Sequence, residues 1–373
     1  MTQTTTKDTS SVASQIVEWD HLEFWVGNAR AATAWLASGF GFDVTAYSGP
    51  ETGVRDRVSY LLEHGDIRLM VTAGLSNDSE VGRHVLEHGD GVRNLAWRVA
   101  DPEAALDAAT RRGAREVQEP RTVERDEGAL TTAAIEAYGQ TRHVFVDRSQ
   151  WSGAWGPGFS SERLPLRPVG RPAGLQSIDH VVGNVEEGRL DEWVEWYMNV
   201  LGFEEMKHFD AAQISTKYSA LRSTVVYNRK GIVMPINEPA PGLRKSQITE
   251  YLEAYGCPGV QHIAMGTPNI IGAIASLRER GVRFLDMPST YYEDAKVRCG
   301  EFDLPWGDLE RLGIEVDKDT GGYLLQIFSE TFAERPTLFM EVIQREGATG
   351  FGEGNFKALF EAIEREQARR GNL

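Results

Sequence analysis

Two histidines and a glutamate in the second half of the chain, His180, His262 and Glu341, have the residue types of a mononuclear iron centre. Glu341 stands in the apolar run Leu-Phe-Met-Glu-Val-Ile, where an unpaired carboxylate would be costly to bury. Two imidazoles and one carboxylate leave about half of an octahedron open for substrate and oxygen, as in non-haem Fe(II) oxygenases. A single histidine is more often structural than ligating, so the prediction rests on all three residues together.

An internal repeat aligns these three residues with a second set earlier in the chain. An Asp-His pair opens each half and is followed by a helical stretch and a Gly-Phe dipeptide. Two later blocks keep the same order in both halves, as expected for tandem structural repeats. The matched positions are His21 with His180, Asn94 with His262, and Val144 with Glu341.

The repeat also predicts which half holds the metal. Val144 offers no ligand atom, and Asn94 is a poor ligand for Fe(II). The first half is therefore predicted to be a metal-free scaffold. The spacing between matched blocks grows along the chain, which indicates an insertion near residues 289–320.

Each half reads as two smaller βαβββ units in an α+β arrangement. An apolar strand is followed by an amphipathic helix and then by further strands. The expected helices include 101–112 and 270–280, and the expected strands include 220–227, 232–235 and 324–328. Asp101 before Pro102 is a typical helix start.

Four segments are predicted from composition and from the repeat. They are a disordered tail (1–17), a metal-free N-terminal domain (18–150), a linker rich in Gly, Pro and Ser (151–174) and a catalytic C-terminal domain (175–373).

Composition restricts the partners. The formal charge is −16, from 39 basic and 55 acidic residues, which argues against nucleic acid or an anionic membrane as a partner. The chain has only two cysteines, Cys257 and Cys299, and no signal-peptide pattern or long apolar run, so a cytoplasmic protein is expected. The other histidines, His64, His84, His88, His143 and His208, lie beside charged or loop residues and are expected to face solvent or to cap local structure.

At these residues the chain resembles the 4-hydroxyphenylpyruvate dioxygenase family of the vicinal-oxygen-chelate fold group. The resemblance extends from about residue 18 to the end and is densest around residues 178–184, 235–239, 245–248, 259–264, 322–328, 335–345 and 350–356. It implies two tandem domains of paired βαβββ units that form open barrel-like sheets. It also places the metal triad on His180, His262 and Glu341.

The resemblance further implies a substrate pocket. Its catalytic polar residues would be Ser223, Asn237, Gln247 and Gln261, and its other substrate-binding residues would be Pro235, Gln326, Phe328, Phe339, Phe351 and Phe356. Amides and a hydroxyl can orient polar groups, and phenylalanines can enclose an aromatic ring. Any one of these phenylalanines, taken alone, is more simply a core residue.

A C-terminal amphipathic helix is predicted over residues 355–369, after the glycine-rich stretch 347–354. In the family this helix lies over the active site, so it is expected to act here as a gate. A helix that merely seals the domain is the simpler alternative.

By resemblance, the activity is oxidative decarboxylation of 4-hydroxyphenylpyruvate, ring hydroxylation and side-chain migration, giving homogentisate. One Fe(II) per chain and O₂ are expected, without 2-oxoglutarate, because the substrate carries its own 2-oxo acid. The expected assembly is a homo-oligomer, either a dimer or a tetramer.

Three alternatives remain open. Hydroxymandelate synthase uses the same substrate and metal, but the residue types at Phe328 and Pro235 favour the dioxygenase. An extradiol ring-cleaving dioxygenase shares the triad. A non-catalytic ligand-binding protein of the same fold would have no need of three ligands around one open site.

The repeat comparison generates one prediction. Asn94→Ala should leave the iron content unchanged, because the first half is predicted to hold no metal. Iron per chain, measured after reconstitution, checks this result, and a loss of iron would contradict it.

Overall fold

A computed structural model describes residues 11–166, 172–210 and 220–371, and its strands form two eight-stranded sheets. Each sheet curls into an open half-barrel. The strands of the N-terminal half-barrel are β1 (Ile16–Trp25), β2 (Asp43–Ser48), β3 (Arg57–His64), β4 (Ile67–Gly74), β5 (Gly91–Val99), β6 (Glu116–Arg125), β7 (Gly128–Glu136) and β8 (Arg142–Trp151). Its helices are α1 (Val12–Gln15), α2 (Ala29–Phe40), α3 (Glu80–His88) and α4 (Pro102–Thr110).

The C-terminal half-barrel repeats this order. Its strands are β9 (Ser177–Asn184), β10 (Glu204–Phe209), β11 (Ala220–Tyr227), β12 (Val233–Ala240), β13 (Gly259–Gly266), β14 (Glu315–Lys318), β15 (Tyr323–Phe328) and β16 (Phe339–Glu346). Its helices are α5 (Leu190–Trp196), α6 (Gln247–Tyr255), α7 (Ile270–Glu279), α8 (Ser289–Arg298), α9 (Trp306–Leu312) and α10 (Phe356–Arg369). The insertion predicted near residues 289–320 contains α8 and α9.

The two sheets have the same strand order. It is β2-β3-β4-β1-β5-β8-β7-β6 in the first and β10-β11-β12-β9-β13-β16-β15-β14 in the second. The predicted α+β architecture of tandem βαβββ units is therefore confirmed. Two βαβββ units meet at the centre of each sheet, where β1 pairs with β5 and β9 pairs with β13 in antiparallel fashion.

Local signals explain where several helices begin and end. The side chain of Asp101 accepts a hydrogen bond from the backbone amide of Ala104, and Pro102 opens α4, as the sequence predicts. Asn28 caps α2 in the same way, and Gly41 ends that helix in the left-handed conformation (φ 77°) that glycine adopts without strain.

The packed structure of the N-terminal half-barrel begins before residue 18, which was the expected boundary. Val12 and Ile16 are fully buried, so α1 and the start of β1 belong to the packed structure rather than to a tail. The segment after β8 is also attached to the N-terminal sheet, because Ser160 forms a β-bridge with Tyr47 of β2. Residues 1–10 and 167–171, which fall within the predicted tail and linker, lie outside the described residues.

One continuous core joins the half-barrels. His143 of β8 lies 2.7 Å (Nε2 to hydroxyl oxygen) from Tyr197, which follows α5, and both side chains are fully buried. The His143 ring stacks on Trp97 with their centroids 4.0 Å apart, and Trp97 also contacts Phe203 of the C-terminal half. The two halves therefore share aromatic packing and a buried hydrogen bond.

The expectation that the other histidines face solvent was wrong for four of the five. The exposed fractions are 7% for His64, 5% for His84, 1% for His88 and 0% for His143, whereas His208 is exposed. The hydrogen-bond partners of His84, His88 and His143 come from distant parts of the chain, which neighbouring residues cannot reveal. His88, for example, is hydrogen-bonded through Nδ1 to the carbonyl oxygen of Tyr255 in the other half.

Removing the hydroxyl of Tyr197 should weaken the contact between the halves. Tyr197→Phe leaves a ring nitrogen of His143 without its buried partner, and we expect a loss of about 1–3 kcal/mol in the free energy of unfolding. Chemical denaturation measures the loss. Tyr323→Phe, at a half-buried tyrosine, is the control, and an equal loss in both variants would show that the His143 contact adds nothing.

Candidate metal centre and substrate cavity

The three predicted ligands converge in the C-terminal half-barrel. Nε2 of His180 lies 3.2 Å and Nε2 of His262 lies 3.3 Å from the same carboxylate oxygen of Glu341. One ligand atom from each residue lies within 4.8 Å of the others, and all three side chains are buried. Among the described residues, no other group of three His, Cys, Asp or Glu side chains meets in this way.

The register of three central strands explains the convergence. Ala264 of β13 pairs with His180 of β9 on one side and with Glu341 of β16 on the other. His262 lies two residues before Ala264, on the same face of the sheet. The small side chain of Ala264 leaves the space between its two neighbours free.

His180 is fixed from behind by two charged residues. Its Nδ1 lies 2.7 Å from Asp179, and Asp179 accepts two hydrogen bonds of 2.7 and 2.8 Å from Arg345. Because a carboxylate only accepts, Nδ1 carries a proton and Nε2 is left to face the site. Arg345 also donates to the carbonyl oxygen of Gly350, at the start of the segment that leads to α10.

His262 is held differently. Its Nδ1 lies 2.9 Å from the side-chain oxygen of Gln261, and its ring stacks on Phe339 with centroids 4.9 Å apart. Phe339 is its direct neighbour across the sheet. Both imidazoles therefore present Nε2 toward Glu341.

The electrostatics are those of a buried ion pair. Burial alone would lower the pKa of His180, but the charge of Glu341 and the hydrogen bond to Asp179 outweigh it and raise this pKa to about 9. Burial would raise the pKa of Glu341, yet the charge and hydrogen bond of His180 lower it to about 2. Burial lowers the pKa of His262. Without metal, a proton on His180 thus neutralises Glu341.

This donor set fits a divalent iron ion. Both imidazoles are oriented through Nδ1, which is the usual arrangement behind metal-ligating histidines. A metal would take the place of the proton as the positive charge opposite Glu341. Two imidazole nitrogens and one carboxylate form the facial set typical of non-haem Fe(II) oxygenases.

The repeat alignment is confirmed by the register in the N-terminal half-barrel. Ala96 of β5 pairs with His21 and Val144, as Ala264 pairs with His180 and Glu341. Asn94 lies two residues before Ala96, at the position of His262. The three matched pairs from the sequence are therefore structurally equivalent.

The Asp179–Arg345 pair that holds His180 from behind, here called the buttress, has a counterpart behind His21. Nδ1 of His21 lies 2.7 Å from Asp20, and Asp20 accepts two 2.8 Å hydrogen bonds from Arg148. The guanidinium lies 3.9 Å from the ring centroid of Trp155, whose edge contacts His21. Phe351 takes the place of Trp155 in the C-terminal half.

A cavity of about 80 Å³ adjoins the triad. Its lining includes most of the residues proposed from the sequence as the substrate pocket. These are Ser223, Pro235, Asn237, Gln247, Gln261, Phe328, Phe339, Phe351 and Phe356. Ser223 and Asn237 face each other across β11 and β12, and Pro235 pairs with Val225.

Gln326 does not line this cavity. Its side chain is 1% exposed and lies under the backbone of Gly352, where an added Cβ would come within 2.2 Å of its amide nitrogen. It therefore supports the segment that enters α10. Its proposed role in substrate binding stays a prediction.

Further lining residues were not predicted as site residues. They are Val182, Phe209, Leu221, Val225, Leu359, Phe360 and Ile363. Strand alternation would have found three of them, since Val182 follows His180 by two residues and Leu221 and Val225 flank Ser223 by two. Phe209 faces Ser223 across the β10–β11 pair and could be found only from strand pairing.

Gln261 and His262 are consecutive, yet both reach the cavity. Consecutive residues of a regular strand point to opposite faces. The β9–β13 register shifts between Val260 and His262, and such a bulge turns an extra residue toward the same face. This irregularity explains how the ligand and its hydrogen-bond partner share the site.

The predicted C-terminal helix is present as α10 and covers the cavity. Leu359, Phe360 and Ile363 face inward from one side of this helix. At its end, Arg370 donates to Glu250 of α6 over 2.7 Å. The helix is therefore closed over the triad in this structure.

Comparison with known proteins places this arrangement in a family. Models of the Glyoxalase/Bleomycin resistance protein/Dioxygenase superfamily match residues 20–131 and 177–327, one in each half-barrel. A 4-hydroxyphenylpyruvate dioxygenase from Dictyostelium discoideum is 45% identical over 95% of this chain and 99% of its own. One from Xenopus tropicalis is 43% identical over 100% of this chain and 97% of its own. The chain belongs to the 4-hydroxyphenylpyruvate dioxygenase family.

Among solved structures, a variant of 4-hydroxymandelate synthase from Streptomyces coelicolor shares the fold of this family member. It superposes with a TM-score of 0.83 at 33% identity, covering 95% of this chain and 99% of that one. The vicinal-oxygen-chelate architecture expected from the sequence is thus confirmed. Among the described residues, no helix has the length and apolar character needed to cross a membrane.

The repeated buttress allows a matched test. Asp179→Asn should weaken Fe(II) affinity by about 10- to 100-fold, because a neutral amide replaces the carboxylate that orients the His180 ring and pairs with Arg345. Asp20→Asn makes the same change behind His21 and should leave Fe(II) affinity unchanged. Competition with a coloured chelator measures both affinities, and an equal effect of the two variants would refute the assignment of the metal to the C-terminal half.

Proposed function

We propose that this chain is an Fe(II)- and O₂-dependent 4-hydroxyphenylpyruvate dioxygenase that gives homogentisate. The observation that carries the proposal is the buried His180–His262–Glu341 set, which opens onto a small cavity lined by phenylalanines and amides. The names and high identity of the full-length relatives support the same substrate.

Bound Fe(II) would supply the oxygen chemistry that side chains lack and would bind the 2-oxo acid of the substrate. One iron per chain and no separate 2-oxoglutarate are proposed, because the substrate provides the oxo-acid itself. His180, His262 and Glu341 would hold the ion. The other side chains of the site would position the substrate and exclude water from it.

Polar residues on two sides of the cavity suit the two polar ends of the substrate. Ser223 and Asn237 are adjacent across β11 and β12, while Gln247 opens α6 and Gln261 adjoins His262. These hydroxyl and amide groups would orient the phenol and the oxo-acid by hydrogen bonds.

Aromatic residues would set the position of the ring. Phe328 and Phe339 pack edge to face beside His262, with their ring centroids 6.2 Å apart. Phe351 packs edge-on against His180, with the ring centroids 5.4 Å apart. A flat ring fits between such side chains. Closure by α10, through Phe360 and its apolar neighbours, would keep water from the reacting centre.

Several broader properties belong to the same proposal. The chain is proposed to act in the cytoplasm, consistent with the free thiols of Cys257 and Cys299. A homo-oligomer, dimer or tetramer, is proposed, as is the division into domains at residues 18–150 and 175–373.

The second candidate is 4-hydroxymandelate synthase, and the solved structure of that enzyme supports the shared fold. The aromatic side chain of Phe328 and the ring of Pro235 both border the cavity and retain the types that favour the dioxygenase. The difference lies in which carbon is hydroxylated, so it can be read directly from the product.

The deciding experiment is oxygen uptake by the Fe(II)-loaded protein with 4-hydroxyphenylpyruvate, followed by identification of the product. Homogentisate is expected. Hydroxymandelate as the product would establish the synthase. Ring opening of a catechol without turnover of the oxo acid would establish an extradiol enzyme. Tight binding of the ligand without any turnover would indicate a binding protein.

Glu341→Gln should abolish this turnover and weaken iron binding while the fold is kept. The amide cannot replace the charge that balances the metal, although its shape is the same. Circular dichroism tests the fold, and metal analysis together with oxygen uptake tests the site. Full activity in this variant would refute the triad.

A further inference from the structure

The N-terminal half-barrel contains a larger cavity than the metal site. Its volume is about 520 Å³, within the range of small-molecule sites. It occupies the same concave face of the sheet and is lined by His21, Asn94 and Val144, the equivalents of the metal ligands. Trp155 and Phe159, from the segment after β8, form part of its wall.

One carboxylate of this cavity, that of Glu23, lies on a different strand from Glu341 in the C-terminal half. Glu23 is two residues after His21 on β1, at the position of Val182, whereas Val144 stands where the other half has Glu341. Glu23 accepts hydrogen bonds from Thr72 (2.7 Å) and from the side-chain amide of Asn94. These two neutral donors fix the carboxylate in place.

Glu23 differs from the other charged groups around the cavity. Arg57 pairs with Asp56, Arg142 with Glu80, and Arg148 with Asp20. Within the described parts of the chain, Glu23 forms no ion pair although it is half-buried. The cavity therefore holds one uncompensated negative charge at its floor.

Asn94 and His21 line the cavity beside this charge. Asn94 is 9% exposed, and its side-chain oxygen is buried without a hydrogen-bond partner among the described residues. Because a carboxylate only accepts, Nδ1 of His21 carries a proton directed at Asp20, and Nε2 is the other ring nitrogen. The Asn94 oxygen has no exposed surface, so a ligand in the cavity would meet the carboxylate of Glu23 and the ring of His21.

From this floor we infer that the N-terminal cavity is a binding site for a small primary amine whose ammonium group donates to Glu23. An ammonium carries one positive charge and donates hydrogen bonds, which match the carboxylate of Glu23. The wall gives the class of the remainder, because Trp155, Phe159 and Leu130 suit an aromatic or aliphatic body. The site needs no metal.

The experiment uses the full-length, Fe(II)-loaded protein and two probes of nearly equal shape, 2-phenylethylamine and 2-phenylethanol. Isothermal titration calorimetry should detect one amine per chain and much weaker binding of the alcohol. Glu23→Gln should weaken amine binding by about 10- to 100-fold, as expected for loss of a charged hydrogen-bond partner. Oxygen uptake with 4-hydroxyphenylpyruvate should be unchanged in this variant.

Two further variants complete the test. Asp56→Asn removes a carboxylate that lines the same cavity but is already paired with Arg57, and it should leave amine affinity unchanged. Leu130→Trp enlarges a side chain of the cavity wall on β7, a different strand from that of Glu23, and should abolish amine binding, so a folding defect in one variant does not decide the result.

Three outcomes would overturn the inference. They are equal binding of amine and alcohol, no loss of amine affinity in Glu23→Gln, and no amine binding at about 1 mM. A second Fe(II) equivalent that binds the wild type and is lost in Glu23→Gln would also overturn it, because it would make this a metal site.

Discussion

The carboxylate of Glu341 is buried in the centre of a sheet, and this buried charge determines how the surrounding side chains are arranged. It requires a positive partner, which a proton on His180 provides without metal and a divalent ion provides with it. His180 in turn is oriented by Asp179, whose own charge requires Arg345. Arg345 then holds the carbonyl of the segment that leads to α10. A single chain of contacts therefore links the metal centre to the helix that covers it.

The N-terminal half-barrel shows which part of this chain belongs to the fold. Asp20, His21 and Arg148 reproduce the buttress although Val144 brings no charge to the site. The Asp-His-Arg contact thus stabilises the central strands of either half-barrel without a metal. What makes the C-terminal half the candidate metal centre is the addition of His262 and Glu341. This distinction explains why a repeated Asp-His pair alone was a weak indication of a ligand.

The features that could be predicted from sequence are those that follow from repetition and strand alternation. The metal triad, β11 and the tandem architecture belong to this class, and α10 follows from its amphipathic helical spacing. The joint access of Gln261 and His262 to the cavity could not be predicted, because it depends on a register shift that only the partner strand reveals. The burial of His88 depends on a carbonyl 167 residues away. Contacts of this kind arise from packing between the halves, which local sequence does not encode.

The segments that follow the last strand of each half explain why equivalent cavities differ. After β16 the chain forms α10, whose Leu359, Phe360 and Ile363 reduce the cavity beside the triad to about 80 Å³. After β8, residues 152–166 form no helix and contribute Trp155 and Phe159 to the wall, which leaves about 520 Å³. A small apolar enclosure excludes water from a reactive metal. A wide cavity with a charged floor suits reversible binding of a polar molecule instead. Two copies of one sheet thus differ in the strand that carries the carboxylate of the cavity and in the chain segment that covers it.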